Sequence, residues 1–255
     1  MQMGGAPRPV VAVVQARMTS TRLPGKVLKP LAGAPLIRRM IERVLRIDGV
    51  DHVVVALAEG PSHDPVLAAL DGLDIAVVRG PEADVLARTA KAARVHKAGT
   101  VMRMTSDCPL IEPSVSGSVL AAFSAAYGTG VRYARTAFET GFPMGFDTEV
   151  VCASALYEAE SRSSDAYERE HVTPYIWRRP QEYPGILLDA RPCRRHWRLV
   201  VDTEEDYRLV SAVYDALYSH TPDFGDADLC KLFESHSDLL AINTHIAPHQ
   251  YHGLR

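Results

Sequence analysis

Short apolar runs alternate along this chain with stretches in which apolar residues return every three or four positions. Val10 to Gln15 is short, apolar and rich in valine, the pattern of a parallel strand buried on both faces. After Pro35, Leu36, Met40 and Val44 recur at helical spacing with Ile37 and Ile41 beside them, while Arg38, Arg39, Glu42 and Arg43 can face water. An amphipathic helix is predicted there. Val53 to Leu57 predicts a second strand, and Asp64 followed by Pro65 offers a cap and first position for the next helix. The series continues with Ile75 to Val78, a helix from about Asp84 to His96, the strand Thr100 to Met104 and a helix after Pro113. Strand and helix in alternation imply an α/β layering around a parallel sheet.

Beyond Tyr127 the rhythm loosens into a Gly/Pro-containing segment through Gly145. A strand near Thr148 to Cys152 follows, then helices around Ser154 to Glu160 and Tyr167 to Trp177. Arg198 to Val201 returns to strand character, Thr203 can cap a helix through Leu217, and a last helix is expected from Asp226 to Glu234. No internal repeat or low-complexity tract interrupts the pattern.

With 255 residues, 47% of them hydrophobic and 23% charged, the chain can bury one continuous core. A net charge of −3 argues against partners of the nucleic-acid-polymer class, though a local basic pocket can still hold a small anion. Cys108, Cys152, Cys193 and Cys230 are scattered without zinc or disulfide spacing, so reduced thiols are expected. No apolar stretch reaches the roughly 20 residues that cross a bilayer, and the start lacks a signal-peptide core. The expectation is a cytoplasmic location with no membrane partner.

Candidate chemistry concentrates in Gln15-Ala-Arg-Met-Thr-Ser-Thr-Arg-Leu-Pro-Gly-Lys26, where a buried strand opens into a loop carrying Arg17, Arg22 and Lys26. Open α/β sheets bind ligands at that end of their strands, and a polyphosphate suits the charge. Arginine forks onto phosphate oxygens, and lysine supplies a compact charge that can follow a leaving pyrophosphate. A solvated basic turn is the plain alternative. The P-loop and the Gly-x-Gly-x-x-Gly dinucleotide fingerprint are both absent.

A second segment, Val101-Met-Arg-Met-Thr-Ser-Asp-Cys-Pro-Leu-Ile111, ends an apolar strand with an acid just before proline. Asp107 is thus a candidate ligand for Mg²⁺, a hard cation that takes oxygen donors and bridges phosphates; a turn carboxylate is the alternative. A third, Val200-Val-Asp-Thr-Glu-Glu-Asp206, brings Asp202 as a possible second ligand, while Thr203 and Asp206 also read as a helix start.

These segments resemble the cytidylyltransferases, above all the Ala-Arg-x-x-Ser-Thr-Arg-Leu-Pro-Gly-Lys signature of CMP-Kdo synthetases and of SpsF-type spore-coat polysaccharide enzymes, relatives of the CMP-acylneuraminate synthetases. Asp202 to Asp206 resembles their Asp-Thr-x-Glu-Asp segment, and Arg79-Gly-Pro-Glu-Ala-Asp-Val-Leu-Ala-Arg88 their Arg-Gly-x-x-x-Asp-Val-Leu-x-Arg. Phe142 to Glu149 and Tyr167 to Pro174 extend the likeness over most of the chain. The sequence departs from the SpsF pattern at Ser106, where a glycine is usual, and at Met144, where aspartate is frequent.

The resemblance implies an α/β, nucleotide-diphospho-sugar-transferase-like (Rossmann-like) fold with a mostly parallel sheet and a small acceptor lobe. Residues 1–221 would form a single nucleotidyltransferase domain: 1–126 mainly for CTP, 127–197 for the acceptor or a dimer contact, 198–221 returning to the core. Residues 222–255 would be a C-terminal helical extension. It implies CTP, Mg²⁺ on Asp107 and Asp202, and nucleotide contacts from Ala16, Ser20, Arg79, Asp84, Arg103, Thr105 and Ser106. Arg17, Arg22 and Lys26 would act on the triphosphate. Asp84 can equally cap a helix and Arg79 be solvated. Asp147, Glu149, Arg169, Glu170 and His171 would meet a small anionic acceptor, His171 standing open between a structural and a ligand role.

The implied reaction is in-line attack of an acceptor oxygen on the α-phosphorus of CTP with release of pyrophosphate, serving polysaccharide or specialised-metabolite biosynthesis. A sugar acid, a sugar phosphate or a phosphonate fits the acceptor equally. A glycosyltransferase using a nucleotide sugar and a non-catalytic nucleotide-binding protein are the rivals, and a homodimer is plausible by analogy. His245, His249 and His252 lack helix or strand context and suit a tail better than a metal site.

Overall fold

The valine-rich run that opens the chain becomes β1 (Val10–Ala16), and its burial follows from its place in the sheet: it pairs in parallel with a strand on each side. The computed structural model describes residues 5–246. After β1 come a small ribbon of β2 (Pro30–Leu31) and β3 (Ala34–Pro35), then α1 (Leu36–Val44), β4 (His52–Ala58), α2 (Pro65–Ala69), β5 (Ala76–Gly80), α3 (Val85–Val95), β6 (Thr100–Thr105) and α4 (Pro113–Ala126). The second part adds β7 (Tyr133–Arg135), β8 (Glu149–Cys152), α5 (Ala153–Arg162), α6 (Ala166–His171), α7 (Pro174–Trp177), β9 (Gly185–Leu187), α8 (Glu204–Leu217), α9 (Asp226–Ser235) and α10 (Asp238–Ala241).

The main sheet has seven strands in the order β5-β4-β1-β6-β8-β7-β9. β5, β4, β1 and β6 are parallel; β8 runs antiparallel to both β6 and β7, and β9 returns parallel to β7. The alternation predicted the parallel part, β5-β4-β1-β6, and the mostly parallel α/β whole is what the resemblance implied. The apolar stripe of α1 packs as its spacing requires, with Leu36, Ile37, Met40, Ile41 and Val44 all fully buried. Arg39 and Arg43 do not face water as expected: both are buried, Arg39 donating to the Leu31 carbonyl and Arg43 to the Ile111 and Phe224 carbonyls and to Glu112, because the second apolar cluster covers that side of the helix. Asp84 caps α3 by accepting the Ala87 N–H at 2.9 Å.

A second apolar cluster lies beside the sheet core. Trp197, Leu199, Val201, Leu209, Val213, Phe224, Leu229 and Phe233 join Leu31, Leu36, Leu110 and Phe146 in it. Residues beyond 221 therefore close a shared core, since α9 packs its Leu229, Leu232 and Phe233 into it. The middle region likewise lends β7, β8 and β9 to the common sheet.

Some expected elements differ. Arg198 to Val201 forms no regular strand: it makes one isolated bridge, Met144 with Arg198, because its amides bond to loops. The Leu199 N–H donates to Met144 O and the Val201 N–H to Asp107 O, both at 2.8 Å. The helix expected over Tyr167 to Trp177 divides into α6 and α7, since Val172 takes φ 73° and Pro174, with no N–H to donate, restarts the helix. A β-branched residue at positive φ is strained, and this one is fully buried beside the cleft described below. Of the trailing histidines only His245 is described, and it is exposed; His249 and His252 lie outside the described residues. Among the described residues no helix is long and apolar enough to cross a membrane.

Candidate active site

Residues 17–25, the loop after β1, fold back on themselves because Met18 O accepts both the Ser20 and Gly25 N–H groups at 3.1 Å. Gly25 sits at φ 69°, a conformation glycine adopts without cost, and the chain then enters a short 3-10 turn at Lys26. A buried His63 holds the loop's other side, its Nδ1 accepting the Met18 N–H at 3.1 Å. Lys26 thereby points inward while Arg17 and Arg22 stay partly exposed.

Lys26 Nζ donates to Asp107 Oδ2 at 3.0 Å, to Asp202 Oδ1 at 2.8 Å and to Val201 O at 2.7 Å. The two aspartates lie far apart in sequence, and the backbone joins them: the Val201 N–H on Asp107 O sets Asp202 beside the turn that follows β6. The missing strand at 198–201 is therefore the feature that assembles the site. Asp206 fixes the next turn, accepting the Asp202 and Thr203 N–H groups at 3.0 and 3.1 Å and both Arg198 nitrogens at 2.8 and 2.9 Å. Arg22 reaches the other Asp202 oxygen at 3.1 Å.

Burial pushes the Asp107 carboxyl up, but the Lys26 ammonium and hydrogen bonds outweigh it and hold the group at about 2. Lys26 in turn is raised: burial lowers it, yet both aspartates favour its charged form. Cys108 is no nucleophile, since burial and the Asp107 charge push its thiol far up. Burial also lowers His171, whose ring stacks on Tyr167 with centroids 4.2 Å apart.

These residues line one cleft of about 510 Å³, within the range of roughly 300–1,000 Å³ common for small-molecule sites. It brings together the predicted Ala16, Arg17, Ser20, Arg22, Lys26, Arg103, Thr105, Ser106, Asp107, Asp147, Glu170, His171 and Asp202. A more enclosed pocket adjoins it, sharing Arg103, Thr105, Asp147, Tyr167 and His171, and Glu149 faces that pocket. Arg79, Asp84 and Arg169 line neither. Arg79 pairs with Asp64 and the Gly60 carbonyl, and Arg169 is spent on Asp84 at 2.6 Å.

Sequence reading passed over several lining residues. Gln15 receives Arg103 Nε and Nη2 at 3.0 and 2.9 Å, while Arg103 Nη1 pairs with Glu149 at 2.8 Å. Arg88 runs buried beneath the cleft, tied to the Ala56, Pro81 and Glu82 carbonyls, and a Cβ on Gly80 would lie 2.9 Å from its Cγ. Burial lowers its pKa to about 10. Arg135 lines the adjoining pocket with Trp177, bonds Glu139 through Nη2 at 2.6 Å, and keeps a buried Nε with no partner among the described residues. The strand register carried the only signal for it: Arg103, Glu149 and Arg135 are Cα partners across β6, β8 and β7.

A sheet presenting a cationic loop at the end of β1, with Asp107 after β6 and Asp202 brought beside it by the 198–201 segment, is the architecture of a nucleotidyltransferase. Residues 11–224 match the cytidylyltransferase family, and the chain belongs to it. The spore coat polysaccharide biosynthesis protein SpsF of Bacillus subtilis is 32% identical over 237 residues, covering 90% of this chain and 95% of that one. A 3-deoxy-manno-octulosonate cytidylyltransferase of Anaeromyxobacter dehalogenans is 39% identical over 133 residues, about half of each chain (51% and 52%). Among solved structures, a cytidylyltransferase from Leptospira borgpetersenii superimposes with a TM-score of 0.84 at 27% identity, covering 91% of this chain and 96% of that one.

Proposed function

We propose that this cytidylyltransferase joins CMP from CTP to a small acceptor bearing an oxyanion, with release of pyrophosphate. The observation that carries the reading is the convergence of Lys26, Asp107 and Asp202 at the mouth of β1 and β6, flanked by Arg17 and Arg22. The loop cations meet the triphosphate. Arg22 and Lys26 favour the departing pyrophosphate as its charge grows, and Arg17 orients the chain of phosphates.

Asp107 and Asp202 fit a divalent cation of the magnesium kind. They supply hard oxygens at one point, and no group of three or more His, Cys, Asp or Glu residues that could hold a metal is present among the described residues. That suits an ion that keeps its waters and completes its shell with phosphate oxygens, and not a closed protein cage. When bound, Mg²⁺ would neutralise phosphate charge and polarise the α-phosphoryl group. The rest falls to the chain: Lys26 exchanges its aspartate partners for phosphate oxygens, and the turn set by Asp206 keeps Asp202 in place. Arg135 lines the adjoining pocket, and its guanidinium charge supports an acceptor with an anionic oxygen.

The test is pyrophosphate release with CTP, UTP, GTP and ATP against sugar acids, sugar phosphates and phosphonates, followed by product mass. The reading expects CTP to be preferred and a CMP-linked anionic product; release confined to another nucleotide, or a transferred sugar in place of a transferred nucleotide, would sink it.

A further inference from the structure

Asp147 lies at the junction of the enclosed pocket and the nucleotide cleft, lining both together with Arg103, Thr105, Tyr167 and His171. One of its oxygens accepts the Gly145 N–H at 2.8 Å; among the described residues the other has no hydrogen bond and no ion pair. The remaining carboxylates nearby are engaged. Asp107 and Asp202 hold Lys26, Glu149 holds Arg103 and accepts the Tyr133 and Thr173 hydroxyls, and Glu170 faces Arg17 at 3.8 Å.

Asp147 is also fixed in position. Gly145 takes φ 105° against the segment that carries Asp202, where an added Cβ would lie 2.7 Å from the Leu199 carbonyl carbon. On its other side the chain enters β8, so the carboxylate is held between the sheet and the 199–202 segment. The charged and titratable groups around it are Asp107 and Arg103 from β6 and its turn, Glu149 from β8, Arg135 from β7, and Tyr167 and His171 from α6.

We infer that Asp147 is a catalytic residue of the transfer: it receives the proton of the acceptor's attacking hydroxyl. This rests on the cytidylyltransfer reading above. The acceptor O–H gives its proton to the free Asp147 oxygen, the alkoxide electron pair forms the new bond to the α-phosphorus of CTP, and the bond from that phosphorus to the bridging oxygen breaks. Pyrophosphate leaves with those electrons, and Asp147 later returns its proton to water. The acceptor class that follows is an alcohol with an oxyanion nearby, its anion toward Arg135 and its hydroxyl at the junction. Burial, opposed by the Gly145 hydrogen bond, raises Asp147 to about 6.

The test compares two kinds of nucleophile with Mg²⁺ and CTP. 3-Deoxy-manno-octulosonate is the hydroxyl probe, and methyl phosphate, which has no hydroxyl on carbon and attacks only through an already ionised phosphate oxygen, is the other. Asp147→Asn is expected to bind CTP within about threefold of wild type by calorimetry. It should lose about 100-fold or more in kcat with the hydroxyl probe and less than about threefold with the phosphate probe. Asp147→Ser, which still offers the Gly145 amide an acceptor, should show the same split and stands in if Asp147→Asn fails to bind CTP. Equal losses on both probes would assign Asp147 a structural role and overturn the proposal, as would an Asp147→Asn rate with the hydroxyl probe within threefold of wild type. Wild-type protein that uses only the phosphate probe overturns it too, because no hydroxyl proton then needs a base. No pyrophosphate from wild type with either probe, in spite of CTP binding, would instead sink the acceptor reading on which the proposal stands.

Discussion

Arg135 shows how one cation in a pocket sets a specificity. Its guanidinium lies 5.8 Å from the Trp177 ring, uses one nitrogen on Glu139 and lines the pocket beside the nucleotide cleft. A charged hydrogen bond contributes about 1.5–3 kcal/mol, so Arg135→Ala should raise the acceptor KM roughly 10- to 100-fold while CTP affinity stays unchanged. Arg135→Lys keeps the charge but loses the planar fork, and should recover only part of that loss. Steady-state kinetics with each substrate varied in turn would check this; a rise in KM for CTP instead would place Arg135 on the nucleotide side.

At the scale of elements, the start of α8 carries the most consequence. Thr203 and Asp206 form a reciprocal capping box, and Asp206, fully buried, also takes two bonds from Arg198 and one from Asn243 at 2.9 Å. Burial would raise the Asp206 carboxyl, but the Arg198 bonds and charge outweigh it and leave it below its ordinary value of 3.8. A depressed carboxylate stabilises the fold above its unfolded pKa, and that contribution is lost as pH falls through the folded value. Wild-type protein should therefore lose thermal stability below about pH 4, and Asp206→Asn should melt lower at pH 7 with a shallower acid decline. Asp206→Ala, which strands Arg198, should cost about 3–5 kcal/mol. Calorimetric melts across pH would measure both; parallel acid declines for wild type and Asp206→Asn would contradict the role.

The same region shows what a sequence can and cannot disclose. Thr203 as a cap, Asp84 as a cap and the apolar strands β1, β4 and β6 were legible because their signals are local: spacing, side-chain oxygens, valine-rich runs. The run Arg198 to Val201 looked like a strand because burial, not pairing, sets its composition; its amides bond to Met144 and Asp107, partners that only tertiary structure brings near. The break within Tyr167 to Trp177 falls at Val172, whose positive φ no local pattern announces, and at Pro174, which restarts the helix. The cationic loop and the aspartates were found from their motifs. Arg135 sits in a strand of three residues and acquires its neighbours only through the β6-β8-β7 order.

Across the whole molecule, Lys26 ties the loop after β1 to the segment that feeds the second apolar cluster. It leaves the loop after β1, and its Nζ contacts the turn after β6 and the 201–202 segment that leads into α8 and the second cluster. In the free protein its ammonium thus occupies the position between Asp107 and Asp202 that a divalent ion would take with CTP. Two consequences follow. Divalent metal alone should bind wild-type protein poorly, because the aspartates are already neutralised, and should bind well once CTP draws Lys26 onto its phosphates. Lys26→Met removes the ammonium and leaves two carboxylates facing one another, so it should melt below wild type; Mg²⁺ or Mn²⁺ without nucleotide should restore much of that loss, since a ligand bound only by the native state raises its stability by mass action. Thermal melts of both proteins with metal alone, CTP alone and both together would decide it. A wild-type melting temperature that rises with metal alone as much as that of Lys26→Met would show that Lys26 does not hold the ion's place, and that the aspartates admit metal whatever the lysine does.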